Sequence, residues 1–258
     1  MNELQKMTWR DALDLFESAR LAIIPTGSCE QHGPHMSLAT DIEIADGFAR
    51  RLVEDLGEIA FLCPRVPYGL SEHHMGFPGT LTLRPDTFLA VLSDLLESLS
   101  HWGIRRALFV NGHGGNVDAL RIVARKARRD AGMVVGSIMW SQLAADAIAE
   151  RAGSSRYGHA CEIETSIALV LARDCVFEDR IEEPRPAGRT DALTDPPGAV
   201  ADRPIWFTEW THNGSLGDPR LANEALGREV VEAAHERALS FAHNLAELEV
   251  DAHQGDRR

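Results

Sequence analysis

The chain of 258 residues has a formal charge of -13 at pH 7 and the composition of an ordinary globular protein. This charge argues against nucleic acid or an anionic membrane as the main partner, because both bind basic surfaces. The four cysteines form no CxxC pair, so neither a disulfide framework nor a thiolate zinc site is predicted. No run of about 18 apolar residues could span a bilayer. We therefore expect a cytoplasmic protein with a small-molecule partner.

Apolar runs of strand length alternate with stretches of helical periodicity along the chain. The strand-like runs are 21–24, 59–66, 107–110 and 133–140. The helical stretches are 42–56, 85–101 and 117–130, with a last one from the N-cap Asp218 and Pro219 to about Leu248. This alternation predicts one α/β domain over residues 1–258, with a mainly parallel central sheet covered by helices on both faces.

Two segments outside this alternation carry predictions of their own. Before the first strand, Thr8 and Asp11 resemble a capping box, and Trp9 and Leu13 recur at helical spacing, so a short amphipathic helix is predicted. Near the C-terminus, residues 181–204 are rich in proline, alanine and acids and have little periodicity. Such a long irregular segment is expected to be a lid, an interface arm or partly disordered.

The segment after the first strand is dense in side chains that bind metals: Glu30, His32, His35 and Asp41. Residues two apart in an extended segment point to the same side, so Glu30 and His32 can reach one point. A turn at Gly33 then allows Asp41 to return towards that point. Carboxylate oxygens and imidazole nitrogens suit zinc, manganese or iron. We interpret the segment as a metal-binding loop, with a polar loop of capping residues as the alternative.

Further ligand-type side chains lie in two later motifs. His113 lies among glycines in NGHGGN, directly after a predicted buried strand, where open α/β sheets bind their ligands. His159, Glu162 and Glu164 lie in GHACEIETS, near the start of an apolar helix. Acids in a first helical turn are also favoured by the helix dipole, so these two glutamates could be structural instead.

Four more side chains are candidates for contact with a substrate. Glu72, His73 and His74 lie in a glycine-rich loop before GFPGT, and Tyr157 lies two residues before His159. Each either contacts a substrate or belongs to a solvated or capped loop. The sequence leaves both interpretations open.

Four motifs, GSCEQHGPHMSLATD, GFPGT, NGHGGN and GHACEIETS, resemble in order and separation the signature of the creatininase family of binuclear metal amidohydrolases. The resemblance extends from about Trp9 to the terminal helix. It implies a three-layer αβα sandwich and two divalent metal ions per chain, which could be zinc, manganese or iron. It also implies a homo-oligomer, often a hexamer.

The resemblance assigns roles to individual residues. Glu30 and His113 would bind one metal, His32 would bind the other, and Asp41 would bridge both. His159 would carry a proton near the leaving group, and His35 would support the ligands or face the substrate.

The chain departs from creatininase at positions that matter for the substrate. Gly115 stands where creatininase has a glutamate ligand, and Glu162 stands where creatininase has an apolar residue. Our hypothesis is that Glu162 replaces the missing ligand and that Glu164 lies behind a ligand and orients it. The alternative is that Glu164 is itself the ligand of the second metal. Residues 154–158 also differ from the tryptophan and acids that help to hold creatinine, so creatinine is not the expected substrate.

The family resemblance implies a metal-dependent amidohydrolase acting on a small cyclic amide or formamide, with a hydroxide between two metals as the attacking group. A family relative that acts on a keto-cyclitol ring or on a peptide cofactor precursor is the first alternative. A non-catalytic oligomeric scaffold with structural metals is the second. A nucleophile formed by Cys29 or Cys161 with a histidine is conceivable, but each cysteine is more simply a small buried residue.

Overall fold

Four parallel strands form one sheet in the computed structural model, within the described residues 2–188 and 203–250. The strands are β1 (Leu21–Thr26), β2 (Ala60–Leu62), β3 (Arg106–Asn111) and β4 (Val134–Met139). Their order across the sheet is β2-β1-β3-β4, and Ile23 of β1 pairs with both Leu62 and Leu108. The mainly parallel sheet that the sequence predicts is confirmed.

Helices precede, connect and follow these strands. They are α1 (Trp9–Ser18), α2 (Thr40–Leu56), α3 (Pro85–His101), α4 (Val117–Ala131), α5 (Trp140–Leu143), α6 (Ala145–Arg151), α7 (Glu162–Leu171), α8 (Phe207–Trp210) and α9 (Glu224–Glu247). None of the helices in the described ranges is long and apolar enough to cross a bilayer.

Alternate residues of β1 belong to two separate hydrophobic cores. Leu21 and Ile23 pack with side chains of α2, α7 and α9, whereas Ala22 and Ile24 pack with side chains of α1, α3 and α4. Successive side chains of a strand point to opposite faces, so each face of the sheet is covered by its own helices. The three-layer αβα architecture is confirmed.

The first helix begins as predicted but buries a different residue. The Thr8 side chain accepts the N–H of Asp11, and the Asp11 carboxylate accepts the N–H of Thr8. Leu15 is the buried residue of this helix, whereas Trp9 is 73% exposed and Leu13 is 47% exposed. These two side chains border an apolar groove shared with α3. The predicted apolar positions of α1 therefore face a surface groove.

Two predicted elements are shorter than expected. The run 59–66 contains only β2, since Pro64 lacks the N–H needed to continue a strand. Asp218 and Pro219 open a short 3-10 turn, Pro219–Leu221, instead of the final helix. That helix, α9, begins at Glu224, because the Asn223 side chain takes the capping position and accepts the N–H of Leu226.

The predicted irregular segment 181–204 is described only in part. Residues 181–188 and 203–204 form no helix or strand in the structure. Residues 189–202, like the tail 251–258, lie outside the described residues.

Candidate metal centre

The predicted ligand side chains after β1 and β3 meet at the carboxyl end of the sheet. Glu30 and His32 follow β1, and the same segment leads into α2, whose second residue is Asp41. His113 follows β3. Gly112 allows the loop after β3 to lie against the start of α2, because a side chain there would collide with the carbonyl oxygen of Asp41. Two neighbouring parallel strands therefore bring these groups to one edge of the sheet.

Six ligand-type side chains form three overlapping groups, and we call these six residues the cluster. Two groups share Asp41: Glu30, Asp41 and His113 form one, and His32, Asp41 and Glu164 form the other. The third group is Glu30, His32 and His159. Nδ1 of His113 lies 3.2 Å from Oε2 of Glu30 and 3.1 Å from Oδ2 of Asp41. Nε2 of His32 lies 3.1 Å from Oδ1 of Asp41 and 3.9 Å from Oε1 of Glu164. The two oxygens of Asp41 therefore face different imidazoles.

Three imidazoles at this site each donate one ring N–H to a backbone carbonyl. The pairs are Nε2 of His113 with Leu70 (2.9 Å), Nδ1 of His32 with Glu30 (3.1 Å), and Nε2 of His159 with Gln31 (2.7 Å). A carbonyl oxygen only accepts, so the other nitrogen of each ring faces the carboxylates, and it carries a lone pair whenever the ring is neutral. This is the arrangement that orients metal-binding histidines.

The surroundings shift the pKa values of these imidazoles in opposite directions. Burial alone lowers the pKa of His32, but the neighbouring carboxylates outweigh it and raise the pKa to about 10. Burial likewise opposes charge on His113, yet Glu30 and Asp41 hold its pKa well above the ordinary value. For His159, burial and then the charge of His32 lower the pKa to about 3. A positive charge is therefore favoured at His32 and at His113, whereas His159 stays neutral.

The carboxylates Glu30 and Asp41 have the charge and the free oxygens that a bound cation needs. Burial raises the pKa of Glu30 and of Asp41, but the imidazoles beside them outweigh burial and hold both pKa values below the ordinary range. Both carboxylate oxygens of Glu30 and Oδ2 of Asp41 are buried, and no described residue donates a hydrogen bond of good geometry to them. Buried carboxylate oxygens beside imidazole nitrogens form the donor set that zinc, manganese or iron prefers.

The two glutamates of α7 occupy different environments. Glu164 belongs to the cluster, and burial raises its pKa to about 7. Glu162 is fully buried elsewhere, and its oxygens accept the backbone N–H groups of Ser154 at 2.8 Å and Asp218 at 3.2 Å. Side chains two apart on a helix point about 200° apart, so only one of the two can face the cluster. Glu164 is therefore the glutamate of α7 that lies in the cluster, whereas Glu162, which our hypothesis named as the ligand, lies outside it.

Two predicted supporting residues lie outside the cluster. Nε2 of His35 is 2.9 Å from the Thr165 hydroxyl, and this contact ties the segment after β1 to α7. Burial, reinforced by His32, lowers the pKa of His35 to about 4. Tyr157 is half-buried and packs against the hydrophobic core that contains α7. Neither side chain lines the cleft above the cluster.

The predicted substrate loop lies beside the cluster. Glu72, His73 and His74 form a short 3-10 turn, and all three line the cleft. His74 is buried, with Nε2 3.3 Å from Oε1 of Glu30. Its ring stacks on Phe207 with a centroid distance of 4.0 Å. The loop therefore contacts both the cluster and the opposite wall of the cleft.

An aromatic wall formed by Trp206, Phe207 and Trp210 faces the cluster, and sequence reasoning did not assign it to the site. The ring of Phe207 lies 4.7 Å from that of His159. In the sequence, the feature that could have indicated this wall is the close spacing of aromatic residues at 206–210. The same pattern is also typical of residues in a hydrophobic core, so the sequence alone could not place them at the cleft.

The cleft has a volume of about 660 Å3 and combines carboxylates, imidazoles and aromatic rings. The apolar groove at α1 and α3 is larger, at about 850 Å3. Its lining is almost wholly apolar, with Arg65 as its charged member. Hydrolysis needs groups that bind metals or move protons, so the smaller, polar cleft is the candidate active site.

Known proteins match this chain in both sequence and fold. The sequence model of the Creatininase family, described as creatinine amidohydrolase, matches residues 5–242. The mycofactocin precursor peptide peptidase of Mycolicibacterium smegmatis is 35% identical over 217 residues, which cover 81% of this chain and 79% of that protein. The creatinine amidohydrolase of Pseudomonas putida is 28% identical over 251 residues, covering 88% of this chain and 90% of that protein.

A solved structure described as "Creatininase Mn" has a TM-score of 0.78 and 23% sequence identity, with 95% of this chain and 99% of that chain covered. At this identity the likeness establishes the fold. The family match spans most of the chain and includes every residue of the cluster. The chain therefore belongs to the creatininase family of hydrolases, as its four motifs predict.

Proposed function

We propose that the chain is a metal-dependent amidohydrolase that cleaves a carbon–nitrogen bond at a two-metal site. The observation that carries this proposal is the position of Asp41, whose two carboxylate oxygens each lie 3.1 Å from a different buried imidazole. A carboxylate shared in this way is suited to hold two cations side by side. Two divalent ions bound there would supply an activated water and polarise the substrate carbonyl.

Five side chains form the proposed ligand set. Glu30 and His113 would hold one ion together with Asp41, and His32 and Glu164 would hold the other together with Asp41. Glu164 takes the role that the sequence analysis gave to Glu162. Five side chains leave coordination positions free for water and substrate, which argues against a scaffold with purely structural metals.

His159 is the proposed proton carrier. The Gln31 carbonyl accepts its Nε2–H, so Nδ1 is the nitrogen that can accept a proton. This nitrogen lies 3.9 Å from Oε1 of Glu30 and 3.8 Å from Oε2 of Glu164. A neutral imidazole here can take a proton from the attacking water and pass it to the leaving nitrogen.

A cysteine nucleophile is disfavoured by the environment of both candidate thiols. Burial raises the pKa of Cys161 to about 12, and it also raises the pKa of Cys29. The thiolate is the reactive form of cysteine, so neither residue is activated. The proposed reaction needs no covalent intermediate with the protein.

The size and lining of the cleft favour a second substrate class, the amide bonds of a peptide. A cleft of about 660 Å3 has room for more than a small cyclic amide or formamide. Its aromatic wall suits apolar side chains of a peptide. The 35% identity to a relative described as a peptide peptidase supports the same substrate class.

Elemental analysis of the purified protein tests the proposal first. We expect about two ions of zinc, manganese or iron per chain, with stripping by a chelator abolishing hydrolysis and re-addition of metal restoring it. The substrate panel would contain cyclic amides, formamides, keto-cyclitols and short peptides. Two bound ions with no hydrolysis anywhere in the panel would contradict the amidohydrolase proposal, and one ion or none would contradict the two-metal site.

Within the panel, Phe207→Ala separates the substrate classes. If the substrate is a peptide, KM should rise about tenfold, because the variant removes an aromatic contact from the cleft. Phe241→Ala, an exposed aromatic position on α9, is the matched control. Hydrolysis of small cyclic amides alone, with KM unchanged by Phe207→Ala, would exclude the peptide class.

The family resemblance also leads us to propose a cytoplasmic homo-oligomer, with a hexamer as the expected assembly. Size-exclusion chromatography with light scattering measures its mass directly. A monomer at micromolar concentration would exclude this part of the proposal.

A further inference from the structure

Glu162 is a buried carboxylate that the proposed reaction does not use. It is the first residue of α7, and 0% of its surface is exposed. Burying a carboxylate is costly unless its oxygens are bonded. Oε1 accepts the N–H of Ser154, and Oε2 accepts the N–H of Asp218. The positive end of the α7 dipole adds stabilisation. Both carboxylate oxygens therefore accept hydrogen bonds from backbone amides.

The two amides belong to loops that are far apart in sequence but joined in space. Ser154 and Asp218 are 64 residues apart, and the N–H of Asp218 also reaches the Ser154 hydroxyl at 3.0 Å. The N–H of Leu216 donates to the carbonyl of His159 at 2.7 Å. Gly217 has a φ of +124°, and a Cβ there would lie 2.9 Å from Oε2 of Glu162. A glycine at 217 therefore allows the second loop to lie against the carboxylate.

Each of these loops carries part of the cleft. Loop 153–158 leads directly into His159, the proposed proton carrier. Loop 211–218 continues from α8, which contributes Phe207 and Trp210 to the aromatic wall. In the middle of that loop, the carbonyl of Gly214 accepts a hydrogen bond from the Gln31 side chain. Glu162 is thus connected to both the proton carrier and the aromatic wall.

We propose that Glu162 is a positioning residue whose carboxylate clamps loops 153–158 and 211–218 together, so that His159 and the aromatic wall keep their places around an amide substrate. Its catalytic consequence rests on the proposed function, whereas the clamp itself rests on the hydrogen bonds described above. The clamp takes Glu162 out of the metal-binding set. Loss of the clamp should raise KM and lower kcat/KM for the substrate, while the metal content stays unchanged.

The central test compares Glu162→Gln with two matched substitutions. Glutamine keeps the shape of the side chain but replaces one acceptor oxygen with an NH2 group, so one of the two hydrogen bonds from the backbone amides to this side chain is lost. Glu236→Gln changes an exposed glutamate on α9 and is the neutral control. Glu164→Gln changes a proposed ligand and is the control for metal loss. Each protein is measured by elemental analysis, hydrogen exchange with mass spectrometry, and steady-state kinetics.

For Glu162→Gln we expect the metal content of the wild type and faster amide exchange confined to loops 153–158 and 211–218. In hydrolysis, kcat/KM should fall about tenfold, the effect of one lost hydrogen bond to a charged group. KM should rise, which a smaller folded fraction would not cause. Gly217→Ala disturbs the same clamp from the other loop and should reproduce the local exchange pattern. The clamp can therefore be tested with this variant even if the Glu162→Gln protein folds poorly.

Two results would overturn the clamp. Loss of one ion from Glu162→Gln, with loop exchange unchanged, would make Glu162 a metal ligand. Faster exchange spread evenly over the whole chain, with KM unchanged, would reduce it to a general contributor to stability. If the wild-type protein hydrolyses no amide, the proposed function fails, but metal content and exchange still decide whether the clamp exists.

Discussion

The candidate site is assembled from two regions that place their side chains in different ways. The segment 27–41 carries Glu30, His32 and Asp41 in one continuous stretch, and its own backbone orients a ligand, since the Glu30 carbonyl accepts the Nδ1–H of His32. The segment 158–164 comes from a distant part of the chain. Its histidine, His159, is held by the carbonyl of Gln31, a residue of the first segment.

The second region also contains strained backbone. Ala160 has a φ of +46°, a left-handed conformation that costs a residue with a side chain about 1–2 kcal/mol. In this conformation its N–H donates to Oε2 of Glu164 at 2.6 Å. Strain of this kind persists where the surrounding structure imposes it, and it is common at functional sites. The first region is thus organised locally, whereas the second depends on tertiary contacts.

Asp41→Asn should have the largest effect, because Asp41 is the residue shared by both proposed metal positions. Asparagine is neutral, and its NH2 group cannot bind a cation, so both ions should be lost. Activity should fall by about 10³-fold or more, the several kcal/mol that a catalytic metal supplies. Elemental analysis and kinetics measure this, with the exposed Asp94→Asn as control. If Asp41→Asn retained two ions, the first region would not organise the metal site.

Glu164→Gln should have an intermediate effect, because Glu164 belongs to only one of the two groups that share Asp41. We expect the loss of about one ion per chain and a fall in activity of about 10²-fold to 10³-fold, since the ion at Glu30 and His113 remains. The matched Glu236→Gln should keep both ions. Full metal content in Glu164→Gln would mean that the second region supplies no ligand.

His159→Ala should leave the metal content unchanged and lower kcat about 10²-fold, the lower end of the effect of a general acid–base group. The ring accepts a proton in the proposed reaction but is not one of the five proposed ligands. His243→Ala, at an exposed position of α9, is the control. A loss of metal from His159→Ala would add His159 to the ligands that the second region contributes.

Most of the fold could be predicted from sequence because it depends on local periodicity. The runs that became β1, β3 and β4 are apolar and of strand length, and α3 begins at the proline where the sequence predicts it. The short helix α8 was missed, because an aromatic stretch is compatible with a strand, a helix or a core loop. The start of α9 was placed too early, because Asp218 and Pro219 are equally suitable for a single 3-10 turn.

The parallel α/β architecture, the metal-binding loop with Glu30, His32 and Asp41, and the position of His113 directly after a buried strand could all be predicted from the sequence. These features follow from side-chain periodicity and from the residue types within short stretches of the chain, which are local properties. The tertiary structure was needed to show which glutamate of α7 faces the cluster, which nitrogen of each imidazole is turned towards the carboxylates, and that an aromatic wall lines the cleft. Each of these depends on how distant loops pack against one another, and the spacing of residues along the chain does not specify that packing.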